Sequence, residues 1–303
     1  MMMNPAIRPE LLDPYEVAQL GGVELVAEGV VEGVLAGLHR SPFRGFSVEF
    51  AEHRPYQPGD ELRYLDWKML ARSDRLLVKQ YEEETNLRAM VVLDTSRSMD
   101  WVGAERRLTK LEYAKRLAAA LALVLLRQRD ATGLVGFDER VRTVVPARSH
   151  GRQWWTLAAA MAALQPGGGT AAEPALHRVT DLLRRRGLVL FISDLLLDPR
   201  LALLALRYLR HRGHQVIVFH IMDPAELTLE GQPEARFEEP ESGDGVVARP
   251  RELRAAYTET VRRSIREWRA ACRSGGIGYH HVLTDTPFGY VLRQAATRRA
   301  RRG

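Results

Sequence analysis

From Asn86 onward, short runs of consecutive apolar residues alternate with longer segments whose apolar positions recur every three to four residues. Ala89–Leu93 (AMVVL) and Leu188–Ile192 (LVLFI) are unbroken apolar runs, as expected of strands buried on both faces. Between them the pattern predicts a helix over 108–128, strands over 133–137 and 141–145 around a turn at Asp138-Glu139, and a helix over 154–164. A glycine loop at 167–169 and a helix over 174–185 follow. Beyond the second run come a helix (200–211), a strand (215–221), a helix (251–273), a strand (279–283) and a last helix (288–299). Strands alternating with helices of this length predict an α/β fold with a doubly wound, mostly parallel sheet. Such sheets bind ligands beyond the carboxyl ends of their strands, where the strand order reverses.

The first 85 residues read differently and form an N-terminal accessory segment, leaving 86–303 as the sheet domain. Residues 14–37 predict an amphipathic helix interrupted by Gly21-Gly22. Residues 38–85 are rich in Arg, aromatic and acidic residues, with turn signals at Ser41-Pro42, Arg54-Pro55 and Pro58-Gly59. Within the sheet domain an acidic hairpin is expected near 223–247, with its turn at Ser242–Gly245.

Composition narrows the compartment. Cys272 is the one cysteine, so no intrachain disulfide forms, and no Cys/His cluster is present to hold zinc. The N-terminus lacks the pattern of a secretory signal. The longest apolar stretch, Leu117–Leu126, is bounded by Arg116 and Arg127 and falls short of the roughly 20 residues of a membrane span. These features predict a soluble, cytoplasmic protein. The net charge of +6 is uneven: 251–303 carries twelve Arg against four acids, whereas 223–244 carries eight acids and one base, Arg236. The basic end suits an RNA, an acidic protein face or lipid headgroups. It reads equally as solvated helix faces, because no aromatic platform interleaves with the arginines.

Candidate chemistry gathers at three places on the ligand-binding edge. The first apolar strand runs into Asp94-Thr95-Ser96-Arg97-Ser98, and the strand at 188–192 runs into Ser193-Asp194. Between them Gly167-Gly168-Gly169-Thr170 opens toward a helix. The carboxylates of Asp94 and Asp194 and the hydroxyls of Ser96, Ser98 and Thr170 are hard oxygen donors, suited to Mg²⁺ first, and to Mn²⁺ or Ca²⁺. Each place has a plainer reading: Ser98 as a helix cap, Asp194 as a turn or cap, the glycines as a simple connection.

The series Asp94-x-Ser96-x-Ser98, then Thr170 after glycines, then Asp194 after an apolar strand, resembles the metal-ion-dependent adhesion site (MIDAS) of von Willebrand factor A-type domains. The resemblance implies a Rossmann-like partner-binding module whose serines and threonine contact the metal and whose aspartates often act through water. Upstream, Arg54-Pro55-Tyr56-Gln57-Pro58-Gly59-Asp60, then Arg63, Asp66-Trp67-Lys68 and Arg72, resembles the bacterial family called domain of unknown function fifty-eight. That second resemblance implies a protein partner of the MoxR-type AAA+ ATPase class and a chaperone-like or metal-centre assembly role. Arg54, Asp60, Arg63, Asp66, Lys68 and Arg72 suit a buried ion-pair network or a partner surface, with Tyr64, Leu65 and Trp67 as core anchors.

Enzyme chemistry finds less support. A haloacid-dehalogenase phosphatase would place an acid where Ser96 stands. A P-loop would need Lys after its glycines, but Ala171 follows Thr170. No Gly-x-Ser-x-Gly elbow occurs, and the histidines lack His-Glu-x-x-His spacing. The expectation is a metal-dependent protein-binding adaptor that is not an enzyme. The alternatives are a Mg²⁺-dependent phosphoesterase or nuclease, and a scaffold whose site holds no metal.

Overall fold

The first apolar run becomes β3 (Arg88–Asp94), in which every residue from Ala89 to Asp94 is buried. The computed structural model describes residues 11–36, 49–57, 67, 69–70, 76–82, 87–169, 172–183, 186–228, 235–238, 245–248 and 250–300. Along the chain come α1 (Pro14–Gln19), α2 (Val23–Ala36), β1 (Glu49–Pro55), β2 (Leu77–Glu82) and then β3. There follow α3 (Lys110–Arg127), β4 (Ala131–Phe137), β5 (Val141–Arg148), α4 (Gln153–Ala162), α5 (Ala172–Leu182) and β6 (Gly187–Ser193). The chain continues through α6 (Pro199–His211), β7 (Gln215–Met222), α7 (Ala225–Thr228), β8 (Ala235–Glu238), β9 (Gly245–Ala248), α8 (Pro250–Ser274), β10 (Gly278–Leu283) and α9 (Phe288–Ala300).

Six strands form one sheet in the order β10-β7-β6-β3-β4-β5. All neighbours are parallel except the edge pair β4–β5, which is antiparallel. The chain therefore winds outward in both directions from β3. The order reverses between β3 and β6, which lie side by side with Leu93 opposite Ile192. This is the doubly wound α/β sheet that the alternation of apolar runs and periodic segments predicts.

Alternation along the strands separates two cores. Ala89, Val91 and Leu93 of β3 pack with α3, α4 and α9 on one face. Met90 and Val92 pack with α5, α6 and α8 on the other. The N-terminal helix α2 belongs to the first core: Val26, Val30 and Val34 are buried with Leu117 and Leu121 of α3. The break after α1 falls at Gly21-Gly22.

Helix α3 starts with Thr109 as its N-cap, whose hydroxyl accepts the Glu112 N–H at 3.2 Å. Tyr113 fastens α3 to the start of α9, donating to the Thr286 carbonyl at 2.7 Å and stacking on Phe288 at 4.8 Å. Two small antiparallel ladders lie outside the main sheet, β1–β2 and β8–β9. In the second, Ala235–Glu238 runs antiparallel to Gly245–Ala248, within the stretch where an acidic hairpin is expected. Ala225–Thr228 is instead helical, Gly245 belongs to a strand rather than to the expected turn, and residues 239–244 lie outside the described residues.

One expectation about the upstream block is corrected. Trp67 keeps 61% of its surface exposed and is not a core anchor; an aromatic side chain in an apolar-looking sequence is buried only where neighbours cover it. Arg54 falls in β1. Asp60, Arg63, Tyr64, Leu65, Asp66, Lys68 and Arg72 lie outside the described residues.

Candidate metal centre

Asp94 ends β3 abreast of Ser193 at the end of β6, at the strand-order reversal. Its carboxylate is fully buried. One oxygen, Oδ1, accepts the Ser96 N–H at 2.8 Å, and the other, Oδ2, accepts the Ser193 hydroxyl at 2.7 Å. Both partners are neutral. Burial first, and the charge of Asp194 second, push the Asp94 carboxyl up to about 7.

The serines of the Asp94 turn face one another. Ser96 Oγ and Ser98 Oγ lie 3.1 Å apart, and both residues are buried. A short 3₁₀ turn, Arg97–Asp100, carries Ser98, and no side-chain cap bond forms there. The helix that follows is capped by Thr109, so Ser98 is not its cap. The glycine loop is docked on the same turn. Gly167 N–H donates to the Thr95 carbonyl at 2.7 Å, and Arg97 N–H donates to the Gly168 carbonyl at 3.0 Å. These bonds hold the residues immediately before Thr170 beside Ser96. Thr170 itself lies outside the described residues. Glycine is required here for close approach: a Cβ on Gly167 would meet Asp138 Oδ2 at 1.9 Å.

Asp194 is buried and engaged on both oxygens. Oδ1 accepts the Leu196 N–H at 3.2 Å, and Oδ2 receives the Lys110 ammonium at 2.8 Å. The cap of α6 is Asp198, not Asp194. Lys110 also reaches Glu226 Oε1 at 2.6 Å. Burial works against the Lys110 charge, but Asp194 and Glu226 outweigh it and hold the ammonium above its usual range. Burial pushes Glu226 up, although Lys110 pulls it the other way. Next to this group His220 donates no charge: burial, with His281 beside it, pushes the imidazole down to about 3, and Nδ1 pairs with Tyr279 Oη at 2.7 Å.

The donor chemistry fits a hard cation. Asp94 is a buried carboxylate with neutral partners, raised in pKa by burial and by a second carboxylate, and the hydroxyls of Ser96 and Ser98, paired with each other, lie on the turn that follows it. An added positive charge at this point relieves the electrostatic cost of ionising Asp94. Among the described residues no cluster of three or more His, Cys, Asp or Glu side chains is placed to hold a metal, so a cation here depends on hydroxyl oxygens as well as carboxylates. Sequence reasoning missed Lys110, Ser193 and Glu226. Ser193 is legible as the polar residue that ends β6 beside Asp194. Lys110 sits in the first turn of α3, where a lysine ordinarily reads as a solvated residue.

The rim of this centre is apolar and exposed. Trp101 and Val102 follow the serine turn with 39% and 38% of their surface exposed, and Leu196 follows Asp194 with 57%. Leu201, Leu204 and Tyr208 continue the exposed apolar surface along α6. The exposed cations Arg200, Arg207 and Arg212 flank them. Leu195, between Asp194 and Leu196, has φ 58°, a left-handed conformation uncommon for a residue with a side chain.

Residues 52–267 match the profile of the family described as Protein of unknown function DUF58. The protein named Uncharacterized protein Rv1480, from Mycobacterium tuberculosis, is 31% identical over 243 residues, covering 78% of this chain and 74% of that protein. Among solved structures, the conserved hypothetical protein BatB from Bacteroides thetaiotaomicron is similar with 19% identity and a TM-score of 0.48, over 71% of this chain and 99% of that one. The SpRpn10 VWA domain is similar with 10% identity and a TM-score of 0.42, over 69% of this chain and 95% of that one.

Proposed function

The chain belongs to the family described as Protein of unknown function DUF58, and from that premise we propose that it is a metal-dependent protein-binding adaptor. In this reading Asp94, Ser96, Ser98, Thr170 and Asp194 hold one divalent cation, Mg²⁺ by preference, at the carboxyl edge of β3 and β6. When bound, the cation supplies an electrophilic seat for a carboxylate offered by a protein partner.

The observation that carries the proposal is the pairing of two features. A buried carboxylate with only neutral partners, Asp94, lies beside Asp194. Around them exposed Trp101, Val102 and Leu196 form a lip that water alone covers poorly. Apolar anchors around a charged seat are the composition of a protein-docking surface, with the cation giving specificity and the side chains giving buried area. The reading assigns no catalytic residue. His220, the imidazole beside Asp194, is neutral and committed to Tyr279.

The partner class rests on the upstream resemblance: a MoxR-type AAA+ ATPase, in a cytoplasmic chaperone-like or metal-centre assembly task. Among the described residues no helix is long and apolar enough to cross a membrane. The test is capture of the purified MoxR-type ATPase of the same organism on immobilised protein, with Mg²⁺ and with EDTA, beside Asp94→Ala. Capture by the wild type in Mg²⁺, lost with EDTA and in the variant, supports the proposal. Capture indifferent to both removes the metal from it.

A further inference from the structure

A second site lies at the opposite end of the sheet. Strand β5 runs antiparallel to β4, and its last residue, Arg148, pairs with Thr132 at the start of β4. The chain there is at the amino end of the parallel strands, remote from Asp94 at the carboxyl end. A cavity of about 360 Å³ opens at this point, between the end of β5 and the first turn of α4. Arg148, His150, Arg152, Gln153 and Thr156 line it over Pro146.

The lining contains basic side chains and no acid. Arg148 and Arg152 are both exposed. Among the described residues neither takes part in an ion pair, unlike their neighbour Arg142, which is spent on Asp138 at 2.7 Å. The shape of the cavity is set by a buried residue. Gln153 is 3% exposed and donates from Nε2 to the carbonyls of Thr132 and Pro146, at 2.8 and 2.9 Å. That pair of hydrogen bonds ties the first turn of α4 to β4 and β5, and so fixes the backbone from which both arginines project. The helix also starts without an acceptor for all of its donors. Arg152, at its N-cap, makes no side-chain cap bond, and the Gln153 N–H goes to the His150 carbonyl. Among the described residues the N–H groups of Trp154 and Trp155 have no hydrogen-bond acceptor.

We propose that this cavity binds a phosphate group, held by the guanidinium groups of Arg148 and Arg152 at the open first turn of α4. Two planar forks offer more donors than a carboxylate can accept, and a tetrahedral dianion uses them fully. Free helical N–H groups add donors of the same polarity. The cavity has room beyond a bare phosphate, so both free phosphate and a phosphate monoester fit the same chemistry. The inference is independent of the metal centre, because none of its residues touches that site.

The test uses the full chain without divalent cations, at constant ionic strength held with chloride. Inorganic phosphate and O-phosphoserine are titrated separately, read by tryptophan fluorescence and by melting temperature. Trp155, 61% exposed and one turn after Arg152, is the reporter. Saturable binding is expected with at least one probe. The double variant Arg148→Gln/Arg152→Gln should weaken it at least tenfold, and Arg152→Lys should weaken it in part, since a point charge does not replace a fork. Arg262→Gln/Arg263→Gln, on the exposed face of α8, should leave it unchanged. Tighter binding of phosphoserine identifies an ester as the ligand, and equal binding identifies free phosphate. A response that does not saturate, or that survives unchanged in the Arg148/Arg152 variant with its melting curve intact, overturns the proposal.

Discussion

Lys110 and Asp194 form a buried ion pair, Nζ to Oδ2 at 2.8 Å, with both side chains 1% exposed. Glu226 completes the group by accepting from the same ammonium at 2.6 Å. Ionised Asp94 adds a third carboxylate to this one lysine. The cluster then holds two negative charges in excess, which the divalent cation of the proposed function would balance. Lys110 thus serves as a permanent counter-ion, anchoring Asp194 so that the remaining charge is concentrated at Asp94.

Removing that lysine is expected to unfold more than a local contact. Lys110→Met leaves the buried Asp194 and the half-buried Glu226 without a cation. Breaking a buried pair from one side costs about 3–5 kcal/mol. Chemical denaturation in EDTA should show a loss of that size, and Mg²⁺ should restore part of it. A loss below about 1 kcal/mol would mean that water or rearrangement already covers these carboxylates.

Asp94 predicts a pH effect whose sign is fixed by its position. Its folded pKa is about 7, against an ordinary value of 3.8. Between those values the folded state holds a proton that the unfolded chain has released. Stability of the metal-free protein therefore falls as pH rises from about 4 to about 7, and above that the loss from this group is complete. Asp94→Asn removes the penalty, which is on the order of a few kcal/mol. In EDTA at pH 8 the variant should melt above the wild type, with a flatter stability profile between pH 4 and 7. It should also lack the upward shift in melting temperature that the proposed function expects Mg²⁺ to give the wild type. Identical pH profiles for the two proteins would show that Asp94 is not the group that titrates.

These two residues also mark what was legible in the sequence. Asp94 and Asp194 each end an apolar run, and a run buried on both faces can end only at the edge of a sheet, so their placement together followed from pattern alone. The main helices and strands from β3 to α9 were readable for the same reason, whereas the single turn of α7 (Ala225–Thr228), inside the stretch expected as a hairpin, was not. The Asp94–Ser193 bond was less visible because it depends on register between β3 and β6, which periodicity does not encode. Lys110 was hidden by its own flexibility: a long side chain in a first helical turn reads as solvated unless the positions of two distant acids are known. Trp67 failed in the other direction, since hydrophobic character says nothing about which surface is available to cover it.

The exposed rim gives a prediction that separates docking from metal binding. Leu204 is 67% exposed on α6, outside the hydrogen-bond network of the carboxylates. Leu204→Asp should weaken capture of the ATPase by at least tenfold while leaving the melting temperature and its response to Mg²⁺ unchanged. Leu196→Ala, closer to Asp194, should weaken capture in the same way. Full capture by both variants would place the partner's contact elsewhere on the surface.

The glycine loop supplies a contrast between adjacent positions. A Cβ on Gly168 would meet Glu139 Oε1 at 1.9 Å, but Glu139 is exposed and its carboxylate can swing into solvent. A Cβ on Gly167 would meet Asp138 Oδ2 at the same 1.9 Å. Asp138 cannot swing away. It is buried, accepts the Arg140 N–H at 3.1 Å and the Gly168 N–H at 3.2 Å, and is paired with the Arg142 guanidinium. Those contacts hold its carboxyl below the usual range despite burial. Gly168→Ala should therefore cost less than about 1 kcal/mol, within the range of an ordinary surface change. Gly167→Ala must displace the loop or break the Asp138 cluster, and a cost of about 2–3 kcal/mol is expected. Because the same loop leads into Thr170, the Gly167 variant should also weaken Mg²⁺ binding, measured by calorimetric titration, whereas the Gly168 variant should not. Equal effects at the two positions would mean that the loop moves as one body and that Asp138 does not fix its place beside Ser96.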